Sequence, residues 1–147
     1  MPDVAARADR SAGNAALELI VLAPALLLLA SLVIAAGRTS LAQNSVFAAA
    51  RDAARQASIS RTVQQAMAQA RSGALNELTA QGLKCDPASV FLPDIQSKFA
   101  TPLGLPATIT VTVTCKVRLS DLLMPGLPGT KVLTASFSSP LDLYRGR

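Results

Sequence analysis

The chain has 147 residues, half of them hydrophobic, with 14 lysines and arginines against 9 aspartates and glutamates, a net charge of +5, and no histidine. Without histidine the commonest general base and a usual zinc ligand are both missing, and two cysteines alone do not complete a closed tetrahedral metal site. The cationic excess invites an anionic partner, yet four Phe, one Tyr and no Trp leave little for stacking bases, and Arg51, Arg55, Arg61 and Arg71 fall on no single helical stripe, which argues for a solvated basic exterior over a nucleic-acid groove.

From Leu19 to Ala36 the chain runs for about 18 residues without a formal charge, and Ala15, Ala16 and Leu17 extend the apolar stretch past Glu18. This length crosses a hydrocarbon core, which takes roughly 20 residues of helix at 1.5 Å each. Secretory signal cores are shorter, about 7 to 15 residues, although Val33-Ile34-Ala35 offers a small-residue pattern at which such a cut could fall. A buried soluble helix is the weaker alternative, because the rest of the chain has too little apolar surface to enclose it. Pro24 removes one backbone donor inside the run, so a kink or loosened turn is expected there, and membrane helices accommodate this when neighbours satisfy the freed carbonyl. Glu18, at the entrance, is disfavoured by roughly 3 kcal/mol at a membrane centre and by less near the interface. Its bland reading is an acid in an early helical turn behind a Ser11 or Asn14 cap, favoured by the helix dipole. Beyond the run, Thr39 to about Ser58 is alanine-rich without Pro or Gly, so one helix is expected to continue out of the span. Ala50, Ala53, Ala54 and Ala57 form a small-residue face, suited either to close packing against other subunits or to covering the protein's own small domain.

Arg10-Ser-Ala-Gly13, then Asn14-Ala-Ala-Leu-Glu18-Leu-Ile-Val-Leu-Ala-Pro24 and a leucine run, resembles the start of TadE-like proteins, the minor pilins or pseudopilins of tight-adherence (Flp, type IVb-like) pilus systems. The likeness continues through Gly37-Arg38, Gln43-Asn44 and Ala48-Ala-Ala-Arg51-Asp-Ala-Ala-Arg55, covering roughly residues 10 to 58, and loosely includes a terminal pattern near Tyr144-Arg145. The resemblance implies that a prepilin peptidase cuts between Gly13 and Asn14, and that Glu18 pairs with the new terminal amine of a neighbouring subunit. Two positions depart from the family pattern: Asn14 replaces the usual apolar residue at the new terminus, and Leu19 stands where Phe is common. The departures bear on terminal methylation and cleavage efficiency. The resemblance further implies other pilin subunits and a pilus assembly platform as partners, and a cytoplasmic N-terminus with an extracytoplasmic C-terminal domain. The Lys/Arg rule taken alone points the other way, since Arg38, Arg51 and Arg55 lie close after the span.

A second helix is expected over about Arg61 to Gln81, with Val63, Met67, Ala70, Ala74, Leu75 and Leu78 recurring at three- and four-residue steps and Gly82 as its stop. Gly73 within it costs about 1 kcal/mol in propensity. From Lys84 onward the period changes to two. Val90-Phe91-Leu92 is a short strand candidate before Pro93, Thr108–Arg118 alternates with Ile109, Val111, Val113, Cys115 and Val117 on one face, and Thr130–Ser138 alternates less cleanly. Pro125-Gly126 and Pro128-Gly129 mark the connection between the last two. The expected architecture is α+β: a leader over 1–13, a transmembrane helix over 14–37, a helical stalk over 38–83, and a small antiparallel, pilin-like sheet head over 84–147.

Cys85 and Cys115, in a domain exported to an oxidising compartment, are natural disulfide partners that would close a loop of about 30 residues; two separate buried thiols are the alternative. No Walker loop, glycine-rich phosphate cradle or paired-acid motif appears. Asp86, Asp94, Asp121 and Asp142 are dispersed beside Pro, Ser or Leu and read as turn and cap residues. Neither catalysis nor a cofactor nor a metal is expected. The leading expectation is a structural assembly subunit; the alternatives are a single-pass envelope scaffold and a secreted binding domain released by signal peptidase.

Overall fold

The computed structural model describes residues 3–102, 104–122, 126 and 128–142, with side chains from Glu18 onward. Helix α1 runs from Asp3 to Ser58, with Pro24 inside it. The chain divides into two compact units, the first ending at Gly37 and the second spanning Arg38–Arg147. In the first unit the leucines and isoleucines from Leu19 to Ile34 are exposed, and none of the most apolar 18-residue stretch is buried. An apolar surface of this length, left uncovered by the protein, is compatible with single-pass membrane anchoring.

In the second unit α1 is amphipathic in size rather than polarity. Ala42, Val46, Ala49, Ala50, Ala53, Ala54 and Ala57 are buried and belong to one core cluster with the sheet and the second helix. The alanine face therefore covers the protein's own domain. Helix α2 (Val63–Ala80) starts at Thr62, whose Oγ1 accepts the Gln65 N–H at 3.2 Å. It closes with a reciprocal pair of bonds: the Gly82 N–H to the Thr79 carbonyl and the Leu83 N–H to the Leu78 carbonyl, both 2.9 Å. Gly82 adopts φ +69°, the left-handed conformation this ending requires.

The face of α2 differs from the sequence expectation. Ala66, Ala70, Gly73, Ala74 and Leu78 are buried, whereas Met67 and Leu75 are 45% and 43% exposed. The buried face is thus centred on small residues, with Leu78 the one large side chain of the helix that is fully buried. At Gly73 the helix lies against side chains of α1: an added Cβ would come within 2.6 Å of Gln56 Nε2 and 2.9 Å of Asp52 Oδ2.

The sheet is three-stranded and antiparallel in the order β1 (Ala88–Phe91), β2 (Thr108–Arg118), β3 (Thr130–Pro140). β1 begins two residues before the expected Val90 and leaves out Leu92. The β1 register sets Ala88 opposite Cys115 and Phe91 opposite Thr112. β2 forms over the expected residues, and its Ile109, Val111, Val113, Cys115 and Val117 are all buried. β3 continues past Ser138 to Pro140, pairing along the whole of β2. On the other face Thr110 meets Ser138 and Thr112 meets Ser136 at 2.9 Å, and Thr114 meets Thr134 at 3.3 Å. Such short hydroxyl contacts mark directly opposed residues whose backbone groups point away from one another. Two short helices went unread in the sequence: α3 (Ile95–Ala100) and α4 (Leu119–Leu122). Asp94 precedes α3 at φ +52° without a side-chain cap bond, so it serves as a turn residue.

Candidate functional site

Gly13 and Asn14 lie within the backbone of α1, ahead of the described side chains. Glu18 is exposed, and the next residues, Leu19 to Leu22, are exposed apolar groups. Glu18 stands five positions after Gly13 on the helix, a rise of about 7.5 Å. Among the described residues no cation is paired with this carboxylate. The chemistry available here is a carboxylate at the mouth of an apolar helix, able to take a cation from another chain.

In the second unit Cys85 and Cys115 form a disulfide with their Cα atoms 5.1 Å apart. The bridge joins the segment following α2 to the central strand. Asp86, the next residue, donates its N–H to the Lys116 carbonyl at 2.8 Å and Lys116 donates back to the Pro87 carbonyl at 3.2 Å. Bridge and ladder together fix the turn between α2 and β1. The exposed Arg118–Asp86 pair, at 3.5 Å, adds little in solvent.

Two contacts hold the free edge of the sheet, and the sequence did not reveal them. Gln43 Nε2 on α1 donates to the Thr134 carbonyl at 2.9 Å, and Phe47 meets Phe137 edge-on with ring centroids 5.8 Å apart. Spacing four residues apart on α1 is the only sequence trace of this pairing. At the far end Ser139 Oγ donates to Ser58 Oγ at 3.1 Å in a buried position, and Ser58 Oγ donates to the Arg55 carbonyl. Among the described residues no cluster of three or more metal-ligating side chains occurs.

An exposed apolar helix followed by a disulfide-bridged α+β unit defines a membrane-compatible, helix-led protein with its polar mass in the second unit. Residues 13–55 match the family model of TadE-like proteins. The likeness read from residues 10 to 58 is thus matched over the span, Glu18 and the alanine-rich part of α1. No curated protein and no solved structure matches the chain.

Proposed function

We propose that this protein is a minor pilin or pseudopilin, a non-catalytic structural subunit in the assembly of a tight-adherence (Flp, type IVb-like) pilus or related secretion apparatus. Residues 1–13 are the leader, cut by a prepilin peptidase between Gly13 and Asn14. Residues 14–37 anchor the product in the cytoplasmic membrane with the N-terminus inside, 38–83 form the stalk and 84–147 the head. The family match, which begins at Gly13, supports this reading. The observation that carries it is Glu18, an exposed carboxylate at the entrance to an otherwise uncharged span.

In lipid an isolated carboxylate and an isolated ammonium are each disfavoured. Brought together they neutralise one another, and removing one partner costs about 3 kcal/mol or more. The new amine of Asn14 would lie four residues before Glu18 of its own chain, about 6 Å along the axis. Pairing with Glu18 of a neighbour therefore sets the stagger between subunits. The partners are the peptidase, other pilin subunits and the assembly platform.

The experiment is a pair of substitutions followed in cells that assemble the structure. Gly13 replaced by a bulkier residue should leave an uncut precursor, and equal processing would remove peptidase recognition at that site. Glu18→Ala should be cut and inserted, yet enter the assembly at least about tenfold less well. Unchanged incorporation would remove the stagger role.

A further inference from the structure

The disulfide joins two sulfurs in unlike surroundings. Cys115 is 0% exposed on the buried face of β2, where it pairs with Ala88 of β1 and Leu133 of β3 and shares its face with the buried Val113 and Val117. Cys85 lies in the segment between α2 and β1 and is half-buried. A cleft of about 420 Å³, within the size range that takes small molecules, opens on Cys85 and is lined by Leu75 and Thr79 of α2 with Leu83, Lys84 and Ala88. Cys115 forms no part of its walls. Thiol–disulfide exchange requires a thiolate to reach one of the two sulfurs, so access decides which is attacked. A nucleophile aimed at Cys115 would have to enter the core of the second unit; one aimed at Cys85 needs only the cleft.

We propose that Cys85 is a modification site of the folded protein, taking a small external thiol as a mixed disulfide through this cleft, with Cys115 as the leaving and resolving sulfur. The external thiolate gives an electron pair to Cys85 Sγ and forms the new S–S bond. The Cys85–Cys115 bond breaks, its pair stays on Cys115 Sγ, and that thiolate takes a proton from water. Because the expelled charge appears among apolar neighbours, the forward step is slow and the bridge is favoured. In reverse, Cys115 attacks Cys85 Sγ and expels the external thiol, so closure of the bridge by a small disulfide passes through the same adduct. Opening at Cys85 releases the end of α2 from β2. The bonds from the Asp86 N–H to the Lys116 carbonyl and from the Lys116 N–H to the Pro87 carbonyl do not involve sulfur, and they keep β1 on the sheet.

The test uses the full chain in mild detergent with its disulfide intact, incubated with excess reduced glutathione, quenched in acid, denatured, alkylated and mapped by mass spectrometry. Glutathione on Cys85 with the alkyl group on Cys115 should exceed the reverse arrangement at least about tenfold. In concentrated guanidinium, where both sulfurs are open to solvent, the preference should fall below about threefold. The Thr79→Trp variant, which places a large ring in the cleft from the exposed face of α2, should form the adduct at least about threefold more slowly while Val111 and Val113 keep their amide protection. Equal labelling of the two cysteines, predominant labelling of Cys115, or no adduct until the chain unfolds would overturn the proposal. So would a preference that survives in guanidinium, since it would then belong to the neighbouring residues and not to the fold. An unchanged rate in Thr79→Trp would overturn the cleft as the route.

Discussion

Gly73 shows how much one missing methyl can carry. In an isolated helix it is a propensity cost of about 1 kcal/mol, yet here the hydrogen position points at the Gln56 amide, which donates to Asp52 Oδ2 at 2.7 Å. A valine at this site must displace both side-chain ends and the hydrogen bond between them. Gly73→Val is expected to destabilise the second unit by about 2 kcal/mol, measured as a lower midpoint of thermal unfolding. An unchanged midpoint would mean that the seam between α1 and α2 is looser than the contact distances imply. Gln43 works in the opposite sense, by adding a bond. Its amide reaches the otherwise open carbonyl of Thr134 on the edge strand. Gln43→Leu should cost about 1 kcal/mol and raise amide exchange along β3 more than along β2. Equal exchange in the two strands would show that the edge is held by Phe47 and Phe137 instead.

At the scale of elements, legibility follows from how strictly a period is enforced. β2 is readable to the residue because β-branched groups alternate with threonines from Thr108 to Thr114 and Cys115-Lys116-Val117-Arg118 keep the same apolar–polar alternation. β1 begins before the expected Val90 because Ala88 and Ser89, of little strand propensity themselves, pair with Cys115 and Thr114 of β2. On α2 the three- and four-residue period correctly marks Ala70, Ala74 and Leu78 as buried, while Met67 and Leu75, at the edge of that face, are half exposed and Ala66 and Gly73 complete it. α3 and α4 are too short to show a helical period at all. Of the candidate site, the cysteine pair could be proposed from spacing and compartment, but only the fold shows their Cα atoms at bonding distance. Gln43 and Phe47 were illegible because their partners are more than eighty residues away. The disulfide closes a separation of 30 residues between the end of α2 and β2. Replacing both cysteines by serine should lower unfolding free energy by about 3 to 4 kcal/mol in denaturant titration. A loss under about 1 kcal/mol would place the stabilisation of that turn in the Asp86–Lys116–Pro87 ladder.

For the molecule as a whole, the two units present different surfaces. One presents leucine and isoleucine outward with no protein cover; the other buries valine and alanine beneath a threonine-lined sheet and displays its charges. Glu18 marks the entrance to the apolar run of the first, and the function proposed for it needs an ammonium that exists only after a peptide bond is cut. The decisive measurement is mass spectrometry of the terminal residue of the mature chain isolated from its native membrane. The account predicts Asn14, one residue beyond Gly13. A chain beginning at Met1, as a permanent anchor would, or near Ala36, as a secreted domain would, contradicts it.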